Sequence, residues 1–188
     1  MRSEQVTSRD KLFFIKEINE NTDWTQGLLG QNVVIHCAAR AHVMNEEVAD
    51  LLSAYRQVNV DGTLNLARQA ADAGVKRFIY LSSIKVNGES TSGNVPFTEE
   101  GLVNSLDPYG VSKLEAEEGL KKIATETGME VVLIRPPLVY GTGVKANFLN
   151  LLKLSNTGLP LPFGMVKNKR SMVYVENLVD FIVKCIDH

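Results

Sequence analysis

The stretch "KRFIYLSS" (76–83) decides how the chain is read. Its centre is continuously apolar, and it breaks at two serines. A run of this kind suits a strand covered on both faces, as in parallel sheets. Two other stretches share the pattern: "NVVIHCAA" (32–39) and "MEVVLIRPPLVYG" (129–141), which runs into a Pro/Gly turn. Residues 48–73 between them carry apolar positions at helical spacing and stop at Gly74, a suitable C-terminal cap. Residues 108–127 start behind Asp107 as N-cap, with Pro108 in the first helical position, and stop at Gly128. "KLFFI" (11–15) and "SMVYV" (171–175) read as short strands, and 146–156 and 176–187 as helices. Strands alternating with helices predict βαβ crossovers, hence an α/β fold with a doubly wound parallel sheet.

Ligands of such sheets bind beyond the carboxyl ends of the strands. That singles out Ala38 to His42, Ser82 to Gly88 and Pro136 to Gly141. The segment 84–107 is rich in Gly, Ser, Thr, Asn and Pro and reads as a long loop, a class that is usually functional or disordered. A dinucleotide fold ordinarily opens on a strand, a Gly-x-Gly-x-x-Gly turn and a helix. Nothing in residues 1–31 resembles one, so the expectation is a sheet that begins near the end of its second strand.

Bulk properties narrow the class. With 188 residues, 44% hydrophobic, 22% charged and a net charge of −2, the chain reads as one ordinary globular unit. That balance argues against nucleic acid or an anionic membrane as the main partner. No apolar run approaches the roughly 20 residues that span a bilayer. The first residues lack the apolar segment of a signal peptide. Cys37 and Cys185 lie in apolar segments without metal-ligand spacing and are expected as buried thiols in a reducing cytoplasm. No metal site is expected.

"SLDPYGVSKLEAEEGL" (105–120) places Tyr109 and Lys113 four residues apart, on one face of a helix. Spacing alone leaves two readings open, a surface helix turn or a proton-transfer pair. A free tyrosine has a pKa near 10. A neighbouring ammonium and the positive helix N-terminus would both favour its phenolate. Ser83, at a strand end, can hydrogen-bond a reacting hydroxyl or carbonyl. Such a set suits proton transfer coupled to hydride transfer at a secondary alcohol.

The ordered set "HCAARAHV" (36–43), "VNVDGT" (58–63), "LSSIKVNG" (81–88), "YGVSK" (109–113), "RPPLVYG" (135–141) and "RSMVYVENL" (170–178) resembles the extended short-chain dehydrogenase/reductases. More narrowly, it resembles their NAD(P)-dependent nucleotide-sugar epimerase/dehydratase family, and implies a Rossmann-like fold. By this resemblance Tyr109 is the catalytic acid/base, Lys113 tunes it and bonds the nicotinamide ribose, and Ser83 holds the sugar C4 oxygen. Ala38, Ala39, Asn59 and Pro136 would line the cofactor side. Asn147 and Arg170 would contact the nucleotide diphosphate, while Leu161 and Phe163 pack the base. Lys85 and His42 are candidates for substrate contact, and Arg2 for a 2′-phosphate.

Two departures stand out. Asn87 replaces the tyrosine of the usual "VYG", and Leu138 the asparagine of "RPxNVYG". The resemblance falls nearest the branch handling UDP-N-acetylhexosamine derivatives. It implies NAD or NADP as cofactor, a UDP-sugar as substrate and chemistry at C4 in surface polysaccharide biosynthesis. Epimerase and 4-keto-reductase readings both stay open, as does a truncated or catalytically silent binding and assembly protein. Residues 1–141 are expected to form a partial NAD(P)-binding domain. Residues 142–188 are expected to start the substrate lobe and return a final helix to the sheet. A homodimer is expected through the helices at 48–73 and 108–127.

Overall fold

The computed structural model describes residues 12–41, 51–91, 95–99, 101, 105–144, 146–158, 165 and 168–188. Three strands, β1 (Val33–His36), β2 (Arg77–Leu81) and β3 (Glu130–Ile134), form a parallel sheet in the order β1-β2-β3. The register pairs Ile35 with Ile79 and Ile79 with Val132. Because alternate side chains face opposite ways, Phe78 and Tyr80 enter one core and Ile79 the other. Both faces of β2 are therefore apolar, which is why its sequence does not alternate.

Helices cover the two faces. On one side α3 (Thr63–Asp72) supplies Leu66, Ala67 and Ala70, and α4 (Pro108–Thr127) supplies Ala116, Leu120 and Ile123. The short helix Thr25–Leu28 (α1) adds Leu28 to this core. On the other side α6 (Val175–Asp187) packs Leu178, Ile182 and Cys185 against Ile79 and Ile134. The doubly wound parallel arrangement read from the sequence is present.

The helix expected over 48–73 is interrupted. Its described part runs as α2 (Leu51–Arg56), a π turn (Gln57–Gly62) and α3. A π turn holds one residue more than an α turn, and here it brings Asn59 inward to 1% exposure. Gly62 permits the close passage of Ile18, whose Cγ2 would lie 2.7 Å from an added Cβ. Beyond α3, Gly74 takes φ 82°, the left-handed ending expected of it.

Three other expectations change. "MEVVLIRPPLVYG" is not one strand: after β3 the chain breaks at Pro136-Pro137 and resumes as β4 (Leu138–Tyr140) in a different sheet. There β4 pairs in parallel with β5 (Met172–Tyr174). Neither proline can donate to a ladder, so the first sheet stops before them. Residues 12–15 of "KLFFI" form no strand; Leu12 and Phe14 are 69% and 94% exposed. No strand among the described residues pairs with them, and Lys11 lies outside the described residues. Cys185 is buried as expected, but Cys37 is exposed because it follows the last paired residue of β1. Helix α5 (Ala146–Ser155) agrees with the sequence. No helix among the described residues is long and apolar enough to cross a membrane.

At the end of β1, His36 stacks on Tyr80 at 5.8 Å, and its Nε2 is hydrogen-bonded to Thr63 Oγ1 at 3.0 Å. Burial, with the Lys113 charge adding to it, lowers the His36 pKa to about 4. The unfolded chain takes up this proton below the ordinary value near 6.5, whereas the folded chain resists to about 4. His36 therefore contributes no pH-dependent penalty above the upper value, and stability falls as pH drops through that window. His36→Asn should show a smaller loss of urea midpoint between pH 7 and pH 5 than the parent chain.

Candidate active site

The carboxyl ends of β1 and β2 meet the first turns of α4. Asp107 caps that helix by accepting from Gly110 N–H at 3.3 Å. Gly110 then passes so close to Ser105 and the Lys85 carbonyl that an added Cβ would lie 2.8 Å from Lys85 O. The helix start is thus pressed onto the loop following Ser83, which brings Tyr109, Lys113 and Ser83 to one end of the sheet.

Lys113 is 1% exposed. Its Nζ donates to the Leu81 carbonyl at 2.8 Å and lies 4.4 Å from the centre of the Tyr80 ring. The Tyr109 ring centre is farther, at 6.0 Å. Burial lowers the Lys113 pKa to about 8, against the opposing pull of Cys37 and Glu117. At neutral pH it remains an ammonium, held mainly by a carbonyl and an aromatic face.

Tyr109 is half-buried, with the Tyr55 ring edge-on at 5.9 Å. Its pKa moves opposite to the sequence expectation. Burial raises it first, and Asp107 and Tyr55 raise it further. The ammonium expected to favour the phenolate sits nearer Tyr80 and Leu81 than Tyr109. In this geometry Tyr109 is a phenol at neutral pH, a proton donor first.

The Ser83 Oγ accepts from Lys85 N–H at 3.3 Å and caps the short 3-10 turn Ile84–Val86. Ser83 is half-exposed, so its hydroxyl keeps capacity for another partner. Lys85 is half-exposed, and its Nζ pairs with Asp107 Oδ2 at 2.8 Å. Asn59 is committed within the chain. Its amide accepts from Arg40 N–H at 2.8 Å and donates to Arg40 O at 3.1 Å and Ser112 Oγ at 3.0 Å. Ser112 in turn donates to the Tyr109 carbonyl at 2.8 Å. Asn59 thus ties the loop after β1 to the turn bearing Tyr109, and has no free amide hydrogen for a ligand.

Ala38 is exposed and Ala39 half-exposed beyond β1. The Pro136 carbonyl accepts from Ile84 N–H at 3.1 Å. Arg170 lies exposed in the segment leading into β5. Asn147 falls in the first turn of α5, its side chain outside the described residues. Arg2, His42, Leu161 and Phe163 lie outside them altogether.

Sequence reasoning missed the buried ionic network beneath this cluster. Glu117, fully buried, lies one turn after Lys113 on the same face of α4. It accepts from Ser82 Oγ at 2.5 Å and from Arg135 through Nε at 2.9 Å and Nη2 at 2.5 Å. The Glu117 hydrogen bonds lead the causes that raise the Arg135 pKa above its ordinary value. A signal was available: Glu117 is an acid in an otherwise buried helical stripe, and Arg135 a base inside an apolar run.

A family model described as NAD dependent epimerase/dehydratase family matches residues 3–188. The chain belongs to this family. A UDP-glucose 4-epimerase of Vibrio cholerae is 56% identical over 178 residues, which cover 94% of this chain and 54% of the relative. An N-acetyl-alpha-D-glucosaminyl-diphospho-ditrans,octacis-undecaprenol 4-epimerase of Escherichia coli is 31% identical, covering 89% of the chain and 49% of that protein. Among solved structures, UDP-glucuronic acid 4-epimerase of Bacillus cereus, in complex with UDP-glucuronic acid and NAD, superposes with a TM-score of 0.73. It is 27% identical, with 89% of this chain and 53% of that one covered. The chain spans about half the length of the curated relatives it matches.

Glu117→Ala should cost about 3–5 kcal/mol, the scale of leaving one partner of a buried ion pair uncompensated. Equilibrium urea unfolding would measure it.

Proposed function

We propose that the protein carrying this chain is an NAD(P)-dependent enzyme acting at C4 of a UDP-sugar, with 4-epimerisation as the leading reaction. The observation that carries this reading is the convergence of Tyr109, Lys113 and Ser83 at the carboxyl ends of β1 and β2. The 56% identity to a UDP-glucose 4-epimerase favours epimerisation over 4-keto reduction. The relative acting on an undecaprenol-linked sugar supports a place in surface polysaccharide biosynthesis, and the proposal sets the enzyme in the cytoplasm.

The residues present fit the nicotinamide end of a dinucleotide. Small side chains at Ala38 and Ala39 leave room beyond β1, and Lys113 reaches the same end of the sheet with one hydrogen bond made and two donors left. Bound NAD(P) would supply hydride acceptance and return. Everything else falls to side chains. The Ser83 hydroxyl holds the C4 oxygen, and Tyr109 exchanges a proton with it. Raised above the usual phenol range, Tyr109 is well suited to deliver that proton and needs the nearby ammonium to help it take one. Arg170 is assigned to the diphosphate, where a guanidinium fork suits two anionic groups. Lys85 joins the substrate side with the donors that its bond to Asp107 leaves over. A homodimer through the helices expected at 48–73 and 108–127 completes the proposed assembly.

The test is direct. Purified protein incubated with UDP-glucose or UDP-N-acetylglucosamine and NAD should interconvert C4 epimers, followed by proton NMR, with no net NADH. Stoichiometric NADPH oxidation by a 4-keto sugar would instead select the reductase reading. Absence of both turnover and cofactor binding by calorimetry would favour the silent binding protein. Tyr109→Phe should lower turnover by at least about 100-fold, the scale of lost general acid/base catalysis. Its UDP-sugar affinity should remain near the parent value by calorimetry.

A further inference from the structure

Among the described residues between Ser83 and Tyr109, Asn87 returns to the buried ionic network. Asn87 is 4% exposed and sits just behind the 3-10 turn. Its Nδ2 donates to the Thr98 carbonyl at 3.1 Å, and its Oδ1 accepts from Arg135 Nη1 at 3.2 Å. Arg135 is bound through its other nitrogens to Glu117 on α4. An unbroken path of hydrogen bonds therefore runs from the main chain at Thr98 to the helix that carries Tyr109 and Lys113.

The chemistry of the position is narrow. A side chain here must donate to a carbonyl and accept from a guanidinium at once, and within one residue's reach an amide does both. A carboxylate of the same shape keeps the acceptor but meets the Thr98 carbonyl without a proton. A leucine of similar size offers neither. Asn87 is also one of the two departures noted in the motif set, so its identity does not follow from the resemblance.

We infer that Asn87 is a positioning residue that registers residues 95–99 against the catalytic helix, making that segment a wall of the nucleotide-sugar site. This rests on the C4 reading above. Along the chain, residues 95–99 lie between the two parts of the candidate site. Ser83 lies at one end, and at the other Ser105 and Asp107 press on Gly110 and cap α4. Asn87 touches no substrate itself; it fixes the distance between the wall and Tyr109.

Two variants separate the contacts. Asn87→Asp removes the donor to Thr98 and keeps the acceptor for Arg135, whereas Asn87→Leu removes both. Hydrogen–deuterium exchange on the protein alone should show the Gly101 amide, which donates to the Thr98 carbonyl at 3.2 Å, exchanging about five- to tenfold faster in Asn87→Asp, the scale of one lost hydrogen bond. Exchange across 111–120 should stay unchanged. With UDP-glucose as probe, KM should rise by a larger factor than kcat falls, and Asn87→Leu should exceed Asn87→Asp in both measurements. Unchanged exchange at Gly101 in Asn87→Asp would overturn the anchor. Faster exchange with KM unaltered would overturn the wall, leaving Asn87 a structural contact. If Asn87→Asp does not fold, Asn87→Leu carries the same two measurements, and failure of both to fold makes Asn87 a core residue and refutes the proposal. Should the parent protein turn over no UDP-sugar, the C4 reading fails separately. The exchange measurement then still judges the anchor, and calorimetric UDP-glucose binding judges the wall.

Discussion

A carboxylate without exposed surface survives inside a protein only when its charge and lone pairs are answered, because the uncompensated cost is several kcal/mol. Glu117 is answered by the fork of Arg135 and the hydroxyl of Ser82. Each partner belongs to a different part of the chain: Glu117 to α4, Arg135 to the exit of β3, and Ser82 to the exit of β2. Apolar packing brings these elements together but does not fix their mutual sliding. The ion pair does, since a bidentate contact tolerates little displacement. The position of Ser83 relative to Tyr109 and Lys113 is inherited from that restraint.

A second restraint acts from the other side. The π turn delivers Asn59 to the Arg40 backbone and to Ser112, and Ser112 reaches back to the Tyr109 carbonyl. The first turns of α4 are thus gripped from the loop after β1 and from the exits of β2 and β3. Burial that follows from this grip also sets the electrostatics. It moves Lys113 down to about 8 and Tyr109 up, so both members of the pair shift toward their neutral forms.

Most of the sheet was legible because a strand covered on both faces must be continuously apolar, and β2 is. The boundaries of α4 were legible from local chemistry: an aspartate cap, a proline at the first position and a left-handed glycine at the end. The interruption of the long helix at Gln57–Gly62 was not, since a π turn leaves the hydrophobic spacing nearly intact and arises from a distant amide contact. The split at Pro136-Pro137 could be suspected from the prolines, but the second sheet could not, because β4 pairs with a strand more than thirty residues later. In the candidate site, the spacing of Tyr109 and Lys113 gave the shared face. It could not give the direction of the Tyr109 pKa, which depends on where the Lys113 ammonium finds its carbonyl. Asn59 was assigned to the cofactor side, and only its geometry reveals that its hydrogens are already committed.

The π turn has a consequence for how this segment tolerates length change. Each helical residue advances the direction of a side chain by about 100°. Loss of one residue between Gln57 and Gly62 would let α2 and α3 join as a regular helix, a locally favourable repair. The same loss would swing Asn59 off the Arg40 backbone and release the Tyr109 turn from its hold. Length in this helix is therefore set against its own intrinsic preference, and the excess residue persists for the sake of a contact outside the helix.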